Sequence, residues 1–173
     1  MHSSGKLVII GIVTVALAAA AASWWLRYAA THRAADFWGP HTTRLIRDAP
    51  AVELFQFAPP AKLAPSSSGA AALLGDATAR ELSRAPGLIH LRNALLEDRS
   101  YRWPARPMRP NDRWQWALRF RARRSDEAAI LFFSPDWTSV GTPGRVEILS
   151  CQPIAAGLAE MLGEFAPAHD APR

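Results

Sequence analysis

The sequence contains a single cysteine and only two lysines, and both scarcities limit what the chain can be. Cys151 has no partner within the chain, which excludes an intramolecular disulfide and a zinc or iron–sulfur site built on several cysteines. Lys6 and Lys62 are the only lysines among 20 basic side chains, so arginine carries almost all of the positive charge. The formal net charge of +5 is modest for 173 residues, and nucleic acid is therefore not expected as a partner.

Motifs of common reaction centres are also missing. The sequence has neither a GxGxxG nor a Walker pattern, and the serines at positions 66–68 lack the strand and helix context of a nucleophile elbow. His90 has no histidine or acidic residue four positions further on, and Cys151 is interpreted as a small buried apolar side chain. We therefore predict no catalytic residue, no metal site and no cofactor, and we expect that the protein is not an enzyme.

One long hydrophobic run, residues 7–26, is the strongest local pattern in the sequence. Its 20 residues carry no charge, and at 1.5 Å per residue they would span about 30 Å, the thickness of the hydrocarbon core of a bilayer. Aromatic and basic residues are common at a membrane interface, and several lie at the C-terminal end of this run: Trp24, Trp25, Arg27 and Tyr28. The pattern predicts a transmembrane anchor of the signal-anchor type over residues 1–28, with the lipid bilayer as a partner. A signal peptide cleaved after an Ala20-x-Ala22 site is the alternative.

The charges on either side of this run leave two orientations open. A short tail with Lys6 before the run favours a C-terminal domain outside the cytoplasm, on the periplasmic side, whereas the arginines after the run favour a cytoplasmic domain. We expect the periplasmic placement. The rest of the chain is expected to form a juxtamembrane connector over residues 29–50, one domain over residues 51–167 and a flexible tail over residues 168–173.

Alternating apolar residues and turn signals predict the element order β-α-β-β-β-α for this domain. A short helical stretch is expected after Asp76, and the segment 101–112, which contains three prolines, is expected to be a loop. The order predicts an α+β fold, in which a small antiparallel sheet carries helices on one face, behind one N-terminal transmembrane helix. Strands are expected at residues 52–57, 114–122, 128–133 and 145–149, and longer helices begin near Pro86 and at Pro153.

Aromatic and arginine side chains alternate in the loop of residues 99–113. Tryptophan, tyrosine and arginine supply much of the binding energy of protein interfaces. In the alternative interpretation, Trp103 folds back into the core and an arginine stacks on it. The partner-binding site predicted here consists of Tyr101, Arg102, Trp103, Arg106 and Arg109.

A second candidate surface is the stripe of Arg119, Arg121 and Arg123, whose side chains project from one face of a predicted strand. Such a stripe would bind a polyanion or anionic lipid headgroups. The alternative is a solvated face on which these arginines pair with carboxylates of neighbouring strands, such as Glu127 or Glu147.

These patterns together predict a single-pass membrane protein without enzymatic activity. Its domain would bind another membrane or envelope protein, as an accessory or assembly subunit of a membrane complex. Two alternatives stay open. One is a membrane-anchored hydrolase, whose acid and base carboxylates only the fold would bring together. The other is an arginine-based binder of anionic lipid or another polyanion.

Overall fold

A computed structural model shows an antiparallel sheet that carries helices on one face. The structure describes residues 3–61, 74–75, 77–123 and 127–165, and the side chains of residues 3–10, 27 and 29–31 lie outside this description. Its α-helices include α1 (Ser3–Asp48), α2 (Leu88–Leu96) and α3 (Ala155–Gly163), and Leu74 and Gly75 are also helical. The seven strands are β1 (Ala51–Ala61), β2 (Thr78–Glu81), β3 (Arg102–Pro107), β4 (Trp114–Arg121), β5 (Ala128–Phe133), β6 (Ser139–Gly141) and β7 (Glu147–Ser150).

The sheet has the strand order β2-β1-β4-β5-β6-β7-β3, so β2 and β3 form its two edges. The centre consists of β1, β4 and β5, and β4 pairs with β1 from Ala51↔Arg121 to Gln56↔Trp116. These central strands are rich in aromatic and leucine side chains, which pack well on a pleated surface.

Each face of the sheet carries its own hydrophobic cluster, because neighbouring residues of a strand point to opposite faces. The larger cluster lies under the helices, where Leu118 and Phe120 of β4 pack with residues from α1, α2 and α3. The smaller cluster lies on the other face and includes Phe55, Phe132 and Trp114. Regular alternation along β4 would place Trp114 on the same face as Trp116, but the two side chains lie in different clusters. A shift of register in β1 between Gln56 and Ala61 accompanies the change of face.

The α+β class, the antiparallel sheet and the placement of the helices on one face agree with the sequence pattern, but three strands were missed. β3 occupies the segment that was expected to be a loop, and it is an edge strand. Proline is tolerated there because its missing N–H is not needed by a second neighbour. β2 lies where a short helix was expected, and all four of its residues are exposed, so it has no apolar alternation to reveal it. β6 has only three residues.

The predicted transmembrane anchor is wrong. Among the residues that the structure describes, no helix has the length and apolar character needed to cross a membrane. Six of residues 11–26 are alanines, whose small side chains bury less apolar surface than leucine or isoleucine, and Gly11, Thr14 and Ser23 also lie in this stretch. The transmembrane, single-pass and signal-anchor assignments are corrected accordingly, together with the membrane localisation and periplasmic placement that followed from them.

Residues 29–48, which were expected to lie in a connector, continue α1, and the later part of this helix packs on the sheet. Gly39 interrupts the helical conformation with φ 77° and ψ 163°, values that glycine adopts far more easily than other residues. Pro40 then begins the last segment of α1, where its fixed φ suits the first helical position. The Gly39-Pro40 pair therefore separates two helical segments of α1, and Leu45 and Ile46 of the second segment reach the core.

Candidate interaction surface

The first part of α1 carries an exposed apolar surface. We call residues 11–28 the arm. The three aromatic rings of the arm can each bury about 150–250 Å², and the largest apolar patch of a typical monomer is only about 300–600 Å². A helix that is apolar on all sides is normally covered in its working state. The large apolar side chains of the arm are more than half exposed: Ile12, Val13, Val15, Leu17, Trp24, Trp25, Leu26 and Tyr28.

One side of the arm, which we call the broad face, consists of Val13, Leu17, Trp24 and Tyr28. Spacings of four and seven residues place these side chains along one side of a helix. The rings of Trp24 and Tyr28 stack with centroids 5.9 Å apart, and Tyr28 stacks in turn on His32 at 5.8 Å. The residues predicted for a membrane interface therefore lie exposed on the arm, except Arg27, whose side chain is outside the described residues.

The opposite side, which we call the narrow face, is lined by smaller residues. A shallow groove of about 540 Å³ runs along it and contacts Gly11, Ile12, Val15, Ala16 and Ala19. Ala22 continues the same side one turn later, because three residues separate it from Ala19. The arm thus has one side with bulky rings and one side that another helix can approach closely.

The arm joins the folded domain at Ala34, where α1 contacts the side chain of Asp98. The Asp98 carboxylate accepts hydrogen bonds from the backbone N–H groups of Ala34 at 2.8 Å and Arg33 at 3.3 Å. Its side chain is only 15% exposed, and the ring of His32 lies 3.6 Å away. A carboxylate that binds helical N–H groups stabilises them in the manner of an N-cap. Asp98 therefore fixes the base of the arm on the domain.

Four aromatic rings surround this base: Phe37, Trp38, Tyr101 and Trp103. Neighbouring rings meet edge to face at centroid distances from 4.8 to 6.4 Å, a favourable geometry for aromatic pairs. The indole N–H of Trp38 and the hydroxyl of Tyr101 both donate to the carbonyl of Leu95, at 3.0 and 2.7 Å. Burial raises the pKa of the Tyr101 hydroxyl well above its ordinary value, so this hydroxyl stays protonated and remains a donor.

The predicted partner-binding residues differ in their exposure to solvent. Tyr101 is buried, and Trp103 is half-buried with its indole N–H donating to the Asp98 carbonyl at 3.0 Å. Arg106 binds both carboxylate oxygens of Asp112, at 2.9 and 3.1 Å. Arg102 and Arg109 stay exposed. The aromatic members hold the base of the arm, and only arginines of the predicted set face solvent.

The arginine stripe is partly paired. The Nε of Arg119 donates to Glu53 at 2.6 Å, and its guanidinium lies 4.8 Å above the ring of Phe55. Arg121 lies 4.0 Å from the other carboxylate oxygen of Glu53, and Arg123 is exposed. The sequence suggested Glu127 or Glu147 as partners, but antiparallel pairing places Glu53 directly opposite Arg119. Polyanion binding by this stripe stays a prediction.

Groups with nucleophilic or metal-binding chemistry are held in structural contacts. Burial raises the pKa of the Cys151 thiol to about 12, and the thiol lies 2.9 Å from the carbonyl of Trp137. A thiol with such a pKa is not a nucleophile near neutral pH. The Asp136 carboxylate accepts hydrogen bonds from the hydroxyls of Ser134 and Thr138. Within the described ranges, no group of three or more His, Cys, Asp or Glu side chains could hold a metal ion.

Comparison with protein-family models, with curated proteins and with solved structures finds no match to this chain.

Proposed function

We propose that this protein is a non-enzymatic interaction subunit whose arm docks on an apolar surface of a partner protein within a larger assembly. The observation that carries the proposal is the exposure of the broad face, where Trp24 is 67% exposed on a helix that its own domain does not cover. Tryptophan and tyrosine are the residues that most often supply the binding energy of an interface.

The attachment of the arm supports this role. The hydrogen bonds from Ala34 and Arg33 to Asp98, and the rings around Phe37, anchor the arm where it joins the domain. A helix that is ordered before binding loses less conformational entropy when its partner arrives. The sheet and its helices then act as a support that presents the arm.

The chemistry of the described side chains also favours binding over catalysis. The Cys151 thiol is protonated near neutral pH, and the carboxylates of Glu53, Asp112 and Asp98 are each occupied by arginine or backbone N–H donors. A carboxylate that serves such donors is less available as a general acid or base. Among the residues that the structure describes, no observation favours the hydrolase alternative.

Affinity purification of the full chain from the cells that produce it tests the proposal. A photoreactive amino acid at position 24 should cross-link the partner, and Trp24→Ser should remove that partner from the purified complex. Ile89→Ser is a matched control, because Ile89 of α2 is also a large apolar side chain that is 67% exposed. Recovery of the same partner with Trp24→Ser, or its loss with Ile89→Ser, would contradict docking through the broad face.

A further inference from the structure

An apolar groove lies between α2 and α3, and we call it the α2–α3 groove. Its volume is about 350 Å³, and the described residues that line it include no aspartate, glutamate, lysine or arginine. Leu91 and Leu158 form its floor and are also part of the core, and Ile154 and Met161 are half-buried along it. A Cβ atom at Gly157 would meet no atom within 4 Å, so the groove is open at this point.

The rim of the groove on α3 is acidic. Glu160 and Glu164 follow Gly157 by three and seven positions, so their side chains project beside the groove. Both side chains are exposed, and neither carboxylate has a hydrogen bond or an ion pair with another residue in the described ranges. α3 itself contains no basic residue, and the partial negative charge of its C-terminal carbonyl groups adds to that of the carboxylates. This rim is therefore negative, although the chain carries a net charge of +5.

Two arginines close to these helices are engaged elsewhere. Arg92 of α2 donates hydrogen bonds to the carbonyl groups of Arg47 and Ala49 at the end of α1. Arg80 donates to the carbonyl of Phe165, which follows α3. Neither arginine is among the residues that line the groove. The rim carboxylates thus remain available to a positively charged ligand.

We propose that the α2–α3 groove binds a short amphipathic helix of a partner protein, with apolar side chains on one face and lysine or arginine beside them. A helix in such a groove inserts side chains spaced by three, four and seven residues. α2 and α3 have nine residues each and extend over about 14 Å, which matches a helix of about three turns. Met161 suits this occupant, because a methionine side chain adapts to the shape of its neighbours. The proposal is independent of the arm and of the partner that the arm binds.

Charge favours a basic helix over the arm of a second copy as the occupant. The side chains of residues 11–26 are uncharged, so they would cover the rim carboxylates without pairing with them. Removing an unpaired carboxylate from water costs free energy. A basic helix compensates Glu160 and Glu164, whereas an acidic helix is repelled by them.

Fluorescence anisotropy with the full chain and two labelled synthetic peptides tests the proposal. One 14-residue peptide has leucine on one helical face and lysine elsewhere, and the second has glutamate in place of lysine. The lysine peptide should bind with a dissociation constant on the order of 10–100 μM, because the groove is smaller than a standard interface. Its affinity should fall severalfold when NaCl is raised from 0.05 M to 0.5 M, because salt screens exposed charges. No binding of the lysine peptide at 1 mM, or equal binding of both peptides, would overturn the proposal.

An arginine placed in the groove tests the location of the peptide. Gly157→Arg puts bulk and positive charge where the peptide lies, and it should weaken binding at least about tenfold. Gly163→Arg is the matched control, since it makes the same change in α3 at a position that is also open but does not line the groove. Equal weakening by the two substitutions would overturn the proposal. A wild-type dimer that only Gly157→Arg converts to monomer would identify a second copy as the occupant and would also overturn it.

The rim carboxylates are tested by a double variant that leaves the shape of the groove unchanged. Glu160→Gln combined with Glu164→Gln should weaken binding of the lysine peptide about threefold to tenfold and reduce its salt dependence. Glu81→Gln combined with Glu147→Gln removes the same charge from exposed positions of β2 and β7 and should have little effect. Trp24→Ser should bind the peptide as the wild type does. Equal effects of the two double variants, or loss of binding in Trp24→Ser, would show that the peptide is not held in the groove.

Discussion

The carboxylate of Asp98 accepts a hydrogen bond from the backbone N–H of Ala34 at 2.8 Å, across 64 residues of sequence. This contact joins the start of the buried half of α1 to the turn that follows α2. It is the point at which the exposed arm becomes part of the folded domain.

Asp98→Ala should lower the free energy of unfolding by about 1–2 kcal/mol, because it removes an acceptor that serves two backbone N–H groups. Amide hydrogen exchange at Arg33 and Ala34 should speed up more than exchange in β4 and β5. Asp98→Asn keeps one oxygen acceptor and should lose less stability. Equal exchange rates in wild type and Asp98→Ala would show that the carboxylate does not hold the arm.

Trp38 and Trp116 are both buried, but only the indole N–H of Trp38 has an acceptor, the carbonyl of Leu95. The N–H of Trp116 has no hydrogen-bond partner among the described residues, although its ring stacks on Trp137 at 5.0 Å. Both Trp→Phe substitutions shrink the ring to the same extent. Trp38→Phe should therefore destabilise the protein by about 1 kcal/mol more than Trp116→Phe, as measured by urea denaturation. A reversed order would contradict these hydrogen-bond assignments.

Protonation of the Asp112 carboxylate should account for part of the loss of folding stability in acid. Burial alone would raise the pKa of Asp112, but hydrogen bonds from Arg106 and from the backbone N–H of Arg109 outweigh burial and lower it below 3.8. A lowered pKa in the folded state means that the stabilisation is present above pH 4 and is lost as the pH falls through the folded value. Wild type should therefore lose more stability between pH 6 and pH 2.5 than Asp112→Asn.

Arg106→Gln provides the matching test for this pair. It removes the main hydrogen-bond donor of Asp112, so the pH dependence of its unfolding midpoint should resemble that of Asp112→Asn. If Arg106→Gln keeps the full acid dependence of wild type, the pairing does not lower the pKa of Asp112.

The Cys151 thiol should be unreactive in the native state. Burial raises its pKa to about 12, and only the thiolate attacks reagents such as Ellman's disulfide. At pH 8 the native protein should show no labelling over minutes, whereas the protein in 6 M guanidinium chloride should release one equivalent of product. Rapid labelling without denaturant would place the thiol at the surface.

The central strands were predictable because their side-chain pattern depends on immediate neighbours. β5 begins and ends where the sequence placed it, and β4 differs by one residue, since both combine strong alternation with large apolar side chains. The edge strands β2 and β3 carry no such pattern. A strand with one neighbour and an exposed face needs neither apolar alternation nor a complete set of N–H donors.

The candidate surface was only partly visible in the sequence. The run of residues 7–26 and the aromatic pair at Trp24 and Trp25 marked the arm, but they suggested a bilayer, and the structure corrects that interpretation. The base of the arm was missed, although Phe37 and Trp38 stand directly before the Gly39-Pro40 pair. In the fold, Phe37 packs on Trp103 and Trp38 packs on Tyr101.

The sequence by itself determined the central strands, the two short helices, the α+β class and the uncharged apolar character of the arm, because these follow from side chains within a few residues of one another. Only the tertiary structure decided that Asp98 meets Ala34, that Glu53 pairs with Arg119, and that Tyr101 and Trp103 pack against α1. Such contacts join segments that are distant in the chain. They depend on strand order and on helix direction, and local patterns of apolar and polar residues specify neither.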